Sequence, residues 1–122
     1  MTAPRLVVKI TNGPEQDSLE RLAQGLTVAA TGVASGVAVS LWLTGEATRV
    51  ARRGADLPTL AHSAPLAQLV ESVLGSGMVT VCTQCATRRD LTAQDLLDGV
   101  RIAGSATFLE EVMADGARAL VY

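Results

Sequence analysis

The sequence predicts a small α/β domain in which helices cover both faces of a parallel sheet. Segments rich in apolar and β-branched residues alternate with segments of helical periodicity, which is the order of a βαβ chain. The strand segments lack polar alternation, as is typical of parallel strands buried on both faces. With 122 residues, of which 48% are hydrophobic, the chain fits one domain with a sizeable core. We therefore expect residues 1–122 to form a single three-layer α/β/α domain.

The first predicted strand and helix occupy the N-terminal part of the chain. The apolar segment Arg5–Thr11 predicts a strand that ends at the turn residues Asn12-Gly13-Pro14. Asp17 and Glu20 then have the spacing of a capping box, although Asp replaces the usual Ser or Thr. Apolar residues with helical spacing follow, and Gly32 is predicted to end the helix.

The middle of the chain adds a strand, a loop and a helix. Gly36–Leu43 predicts a second, mostly buried strand, and Thr44-Gly45-Glu46 turns into a short helix up to about Arg52. Residues 53–63 show no periodicity and are assigned to a connecting loop. A helix is predicted from about Pro65 to Gly75.

Shorter elements complete the chain. In order, they are a strand at Met78–Val81, a short helix at Thr92–Leu97, a strand at Val100–Ala103, a helix at Ser105–Asp115 and a fifth strand at Ala117–Val121. Thr92 and Asp95 have capping-box spacing. Several acidic residues are interpreted as solvated helix faces, namely Asp95, Asp98, Glu110 and Glu111.

Three predicted loops are expected to meet at one edge of the sheet. Parallel strands bring their carboxyl ends to the same edge, and α/β sheets bind ligands outside that edge. Asn12-Gly13, Thr44–Glu46 and Cys82–Cys85 each follow a strand directly. The two cysteines therefore lie where function is expected.

The Cys-x-x-Cys motif is the most informative chemical feature. Cys82 ends a strand and begins a turn that continues to Arg88 and Arg89. Backbone N–H groups at a helix start and two nearby guanidinium groups favour the thiolate over the thiol. A thiolate here can attack a disulfide, accept a sulfane sulfur or bind a soft metal. In the alternative interpretation, both cysteines are small buried residues without a chemical role.

Composition and missing motifs exclude several classes of protein. A net charge of −2 and 2% aromatic residues argue against nucleic-acid binding. The sequence has no P-loop and no Gly-x-Gly-x-x-Gly fingerprint. All four prolines precede Cys82, which argues against a thioredoxin-like enzyme with a facing cis-proline. A zinc site needs more ligands than two cysteines and the distant His62, so neither a metal nor a cofactor is expected.

The same composition leads to expectations about location and assembly. No segment is long and apolar enough to span a membrane, and the N-terminus lacks the pattern of a signal peptide, so we expect a cytoplasmic protein without membrane contact. The predicted helices after the second strand are short, which leaves one face of the sheet thinly covered. We therefore expect a homo-oligomer, with Trp42 as the residue to be buried between chains or in the core.

Several segments together resemble a known family. The features are a strand that ends in Cys82, the arginines Arg88 and Arg89 shortly after it, the segment Asp95–Val100, and Gly104. They are similar to the DsrE/DsrF-like family, which includes TusD-like sulfur-relay proteins and smaller YchN-like proteins. Relay proteins usually have a small residue without a thiol at the position of Cys85, whereas several YchN-like proteins have a Cys-x-x-Cys there. The family often has Arg-Gly where this chain has Arg88-Arg89-Asp90.

The resemblance implies a five-stranded parallel sheet with a flavodoxin-like appearance, and assembly into trimers or hexamers. It also implies that Cys82 takes up sulfur as a persulfide and passes it to a partner protein. Our first hypothesis is therefore a cytoplasmic sulfur-transfer or thiol-relay protein, with Cys85 as the resolving thiol. The supporting residues would be Asn12, Gly13, Glu46, Thr83, Gln84, Arg88 and Arg89. The second hypothesis is a non-catalytic oligomeric binding module whose cysteines are structural or bind a metal.

Overall fold

The computed structural model describes residues 4–122. Its strands are β1 (Leu6–Ile10), β2 (Val39–Leu43), β3 (Met78–Cys82), β4 (Arg101–Ala103) and β5 (Arg118–Val121). Its helices are α1 (Leu19–Ala34), α2 (Leu66–Ser76), α3 (Thr83–Arg88) and α4 (Ser105–Val112). Short 3₁₀ segments lie at Gly45–Ala51 and Ala93–Asp95. All strand pairs are parallel, in the order β4-β3-β2-β1-β5, so the predicted five-stranded parallel α/β fold is confirmed.

One face of the sheet is apolar and is covered by α1 and α2. Alternate strand residues point to this face, where they form one cluster with leucines and valines of the two helices. The strand members are Val8, Ile10, Val39, Leu41, Leu43, Val79 and Val81, and the principal helix members are Leu22, Leu26, Val70 and Val73. This cluster is the sizeable core expected from the hydrophobic content of the chain.

The opposite face is polar at its centre and is covered by α4. Glu111 of α4 is 8% exposed, and its carboxylate accepts hydrogen bonds from Ser40 and Trp42 at 2.6 and 2.9 Å. Arg101 donates to the same carboxylate at 2.6 Å. The sequence-based interpretation of Glu111 as a solvated residue is therefore wrong. A carboxylate is buried here because donors from β2 and β4 satisfy it.

Trp42 is buried within the chain. Its side chain is 2% exposed, and its ring packs edge-on against Phe108 of α4, with ring centroids 5.2 Å apart. The expectation that Trp42 is buried between chains is therefore wrong. The alternative expectation, that Trp42 packs in the core of its own chain, is confirmed.

The end of α1 differs from the prediction. Gly32 lies inside the helix, where a Cβ would meet Val39 Cγ2 at 2.9 Å, so the glycine permits close packing against β2. The helix continues to Ala34, and Gly36 follows it with φ of +80°. This left-handed conformation favours glycine and ends the helix, which is why β2 begins at Val39 rather than at Gly36.

The two predicted capping boxes have different outcomes. Thr92 and Asp95 form theirs, with the carboxylate accepting from the Thr92 backbone at 2.8 Å. Asp17 and Glu20 form no capping box, because the N-cap residue of α1 is Ser18, whose side chain makes no capping hydrogen bond. The Ser18 hydroxyl donates instead to the Gly13 carbonyl at 2.9 Å, which ties the start of α1 to the loop after β1.

No helix in the described range is long and apolar enough to cross a membrane.

Burial opposes ionisation of Glu111, but the hydrogen bonds outweigh it. Desolvation raises the pKa of this carboxyl, whereas donors from Ser40, Arg101 and Trp42 and the Arg101 charge leave the pKa below its usual value. The ionised group therefore stabilises the fold at neutral pH. That stabilisation is present above the ordinary glutamate pKa and is lost as the pH falls through the lowered one.

We predict that Glu111→Ala lowers the free energy of unfolding by about 2–3 kcal/mol at pH 7, because it leaves Arg101 and two buried donors without their acceptor. Urea denaturation measures this loss, and the difference from wild type should shrink as the pH falls below about 4. Glu110→Ala, on the exposed side of the same helix, is the matched control and should change stability by less than about 0.5 kcal/mol. Equal effects of the two substitutions would contradict the network.

Candidate functional site

The loops after β1, β2 and β3 come together at the carboxyl edge of the sheet. A Cβ on Gly13 would lie 2.4 Å from Glu46 Cβ, so these two loops touch where only glycine fits. The backbone N–H of Gly45 donates to Cys85 Sγ at 3.2 Å, which joins the second loop to the third. Asn12 is partly buried beside Gly13. The structure therefore brings together the three loops that the strand order predicts at this edge.

The two thiols differ in exposure. Cys82 is the last residue of β3 and is partly exposed, whereas Cys85 lies in the first turn of α3 and is 8% exposed. Both are free cysteines. The two cysteines are three residues apart at the start of α3, and the Cys85 side chain is one of the groups that lower the pKa of the Cys82 thiol, so the thiols are neighbours. Cys82 is thus the thiol that a reagent or partner can reach, and Cys85 is the thiol behind it.

The surroundings of Cys82 favour its thiolate. Partial burial raises the pKa of the Cys82 thiol, but backbone N–H groups of Cys85 and Gln84 donate to the sulfur and lower it. The Cys85 side chain and the positive charge of Lys9 lower it further, and the net result is a pKa below the ordinary value. This direction of the pKa shift is the one expected for a cysteine at the start of a helix.

The arginines have a different part from the one predicted. Arg89 donates to Glu46 at 2.9 and 3.1 Å and to the Cys85 carbonyl at 3.1 Å, so its charge is paired. Arg88 is exposed on the last turn of α3. The cation that contributes to the lowered pKa of Cys82 is instead Lys9, near the carboxyl end of β1, and its contribution is smaller than that of the backbone N–H groups. Sequence reasoning missed Lys9, although it is the only lysine of the chain and interrupts a buried apolar strand.

Thr83 and Gln84 lie between the cysteines and are exposed. The Thr83 hydroxyl faces the turn before α4, since a Cβ on Gly104 would lie 3.9 Å from it. Gln84 contributes its backbone N–H to Cys82. Thr83 therefore lies beside the turn before α4, and Gln84 acts on Cys82 through its main chain.

Ion pairs hold the rim of the edge together. Glu46 pairs with Arg89 at 2.9 Å and lies 3.9 Å from Arg49, which also pairs with Glu15 at 2.8 Å. These groups connect the loops after all three central strands. A cavity of about 190 Å³ lies beside them, lined by Glu46, Arg49, Arg52, Arg89 and Leu91. Exposed pairs of this kind contribute little stability individually, so their effect here is to order the loops.

Residues 4–122 contain no group of three or more His, Cys, Asp or Glu side chains placed to hold a metal ion. The donors that surround Cys82 are N–H groups and a thiol, which stabilise an anionic sulfur rather than complete a metal coordination sphere. The arrangement therefore suits nucleophilic or sulfur-carrying chemistry.

Comparison with known proteins identifies a family and a common fold. The sequence model of the DsrE/DsrF-like family matches residues 5–122. The structure is similar to the YchN protein from E. coli, with a TM-score of 0.75 and 24% identity over 95% of this chain and 97% of the other. A protein of unknown function from Methanobacterium thermoautotrophicum matches with a TM-score of 0.69 and 14% identity, over 96% and 98% of the two chains. No curated protein sequence matches the chain. At these identities, the solved structures show a common fold.

We predict that Cys82 is alkylated faster than Cys85. The plot of the Cys82 rate against pH should have its inflection below the pKa of a free cysteine, which is about 8.5. Iodoacetamide labelling across pH, followed by fragment mass spectrometry, measures both rates. Because Arg88 is exposed and its charge is absent from the causes that lower this pKa, Arg88→Ala should leave the inflection in place. An inflection at or above the free-thiol value would contradict an activated Cys82.

Proposed function

The chain belongs to the DsrE/DsrF-like family, and on that premise we propose that it is a sulfur-transfer protein that carries sulfane sulfur as a persulfide on Cys82. The observation that supports this most is the partly exposed Cys82 thiol, whose pKa is lowered by backbone N–H donors at the carboxyl edge of the sheet. The same donors suit a persulfide, which is also an anion. A reducing compartment such as the cytoplasm fits this chemistry, because both thiols must be free.

Loading of Cys82 is a thiol exchange without net oxidation. The Cys82 thiolate attacks the outer sulfur of a donor persulfide, R–S–SH. A new S–S bond forms on Cys82, the S–S bond of the donor breaks, and the donor leaves as a thiolate that takes up a proton from water. Partial exposure of Cys82 gives the donor access, and the N–H groups of Gln84 and Cys85 hold the attacking sulfur in its ionised form.

Two routes release the sulfur. In relay, the thiolate of an acceptor protein attacks the outer sulfur of the persulfide. The acceptor then carries the persulfide, and Cys82 returns to its thiolate form. In resolution, the Cys85 sulfur attacks the inner sulfur, so that a Cys82–Cys85 disulfide forms and hydrosulfide leaves. A thiol reductant, such as a protein dithiol, then restores both cysteines. The neighbouring position of Cys85 and the Gly45 N–H that is aimed at its sulfur support the second route.

A second candidate function is a binding module in which the cysteines are structural. The burial of Cys85 at 8% exposure and its hydrogen bond from Gly45 favour this for Cys85. The partial exposure of Cys82 favours the carrier function instead. The two candidates differ in whether Cys82 takes up sulfur.

We also propose that the protein is a homo-oligomer, either a trimer or a hexamer. Apolar side chains of α4 and of the edge strand β5 are exposed: Leu109 is 60% exposed, Met113 72% and Val121 65%. Exposed apolar patches on proteins often mark interfaces. Association through this patch would cover the edge strand, whose residues are all exposed.

We predict that incubation with a sulfane-sulfur donor adds one sulfur atom to the wild-type protein and none to Cys82→Ser. Cys85→Ser should keep the added sulfur longer than wild type, because the resolving thiol is absent. Intact-protein mass spectrometry over time measures all three proteins. Sulfur uptake that is unchanged in Cys82→Ser would overturn the assignment of the carrier.

We predict that light scattering gives a mass three or six times the 12.6 kDa of one chain. Met113→Glu should shift the protein towards smaller species, because it places a charge in the apolar patch. Ala67→Glu is the matched control, since Ala67 is also an exposed apolar residue but lies on α2, which covers the opposite face of the sheet. A monomeric wild-type protein at micromolar concentration would contradict the assembly.

A further inference from the structure

The polar face of the sheet holds one strand cation that no carboxylate neutralises. Side chains alternate along each strand, so Lys9, Trp42, Thr80 and Arg101, which are register partners, all point to the face that α4 covers. Arg101 pairs with Glu111 at 2.6 Å. Lys9 takes part in none of the ion pairs formed among residues 4–122. Lys9 is therefore the unneutralised charge on this face.

The register places this charge on the same face of the sheet as Cys82. Thr80 is level with Lys9 across β2, and Cys82 lies two residues further along β3 on the same face, next to the carboxyl edge. The Lys9 ammonium lies 5.2 Å from the centre of the Phe108 ring, and Phe108 packs against Trp42. An aromatic ring attracts a cation weakly and accepts no conventional hydrogen bond. With no carboxylate partner among residues 4–122, the ammonium keeps its charge available to an anion that approaches this face.

We propose that Lys9 binds the negative charge of the sulfur donor at Cys82, so that the site selects anionic sulfane-sulfur compounds, such as thiosulfate or a persulfide anion, over neutral ones. This rests on the proposed sulfur-carrying function. With thiosulfate, the Cys82 thiolate attacks the outer sulfur, the S–S bond of thiosulfate breaks, and sulfite leaves with the bonding electron pair. The persulfide anion that remains on Cys82 has the same charge as the thiolate, so no further oxidant or reductant is needed.

Charge-selective alkylation tests the electrostatic part of this inference without any sulfur transfer. The probes are iodoacetate, an anion, and iodoacetamide, its neutral analogue, applied to Cys82 in a Cys85→Ser background at a pH where the thiol is ionised in every variant. Lys9→Met should lower the ratio of the iodoacetate rate to the iodoacetamide rate by about twofold to fivefold at low salt. Lys9→Arg should keep the wild-type ratio, because it keeps the charge.

The controls separate local charge from net charge and from misfolding. Arg21→Met removes one exposed cation from α1, on the other side of the sheet, and should leave the ratio unchanged. Lys9→Gln is a second neutral variant, with circular dichroism used to verify folding of each protein. A ratio in both neutral variants equal to that of wild type would overturn the proposed part of Lys9.

Donor competition then tests the substrate class. Wild type and Lys9→Met are incubated with thiosulfate, with a hydropolysulfide anion or with a neutral organic trisulfide, and persulfide on Cys82 is followed by mass spectrometry. The inference predicts slower loading of Lys9→Met by both anions and equal loading by the neutral donor. If each of the three donors loads Lys9→Met as fast as it loads wild type, the selection by Lys9 is overturned while the proposed function stands. No loading of wild type by any donor overturns the proposed function and the substrate class together.

Discussion

All five strands run in the same direction, so each connection crosses a face of the sheet and every carboxyl end reaches the same edge. This constraint brings loops that are far apart in sequence into contact. Gly13 lies against Glu46, and Gly45 donates its N–H to Cys85, although these pairs come from different loops. The partly exposed Cys82 thiol is thus positioned by strands that are themselves fixed in the core. A change that shifted the register of β1 or β2 would displace Lys9 or Gly45 relative to the cysteines.

The two faces of the sheet are built for different purposes. The face under α1 and α2 is filled by aliphatic side chains, which supply most of the hydrophobic stabilisation. The face under α4 carries a buried carboxylate, a tryptophan and two cations. Glu111 neutralises Arg101 and satisfies Ser40 and Trp42, which makes the burial of polar groups tolerable and fixes α4 on the sheet. Since Glu111 is committed to Arg101, the charge of Lys9 is left to act on Cys82.

The sequence predicted local elements well and long-range polar contacts poorly. Strand composition and the turn at Asn12-Gly13 indicated the parallel sheet and the edge where the thiols lie. Glu111 was misjudged because it follows another acidic residue, the exposed Glu110, whereas its partners Ser40 and Trp42 are about seventy residues away. Lys9 was missed for the same reason, since its relation to Cys82 exists only through strand register. Gly32 was assigned to a helix end, although close packing against Val39, a tertiary contact, requires it.

The central claim is that sulfur is carried on Cys82 at the edge of the sheet, with Cys85 behind it. The most direct test is a crystal structure of the protein after incubation with inorganic polysulfide. The account predicts electron density for one additional sulfur bonded to Cys82 Sγ, within reach of the N–H groups of Gln84 and Cys85, and an unmodified Cys85. Density for the added sulfur on Cys85 would contradict the account. So would an unmodified Cys82 under conditions in which the polysulfide modifies the thiol of a small-molecule control such as glutathione.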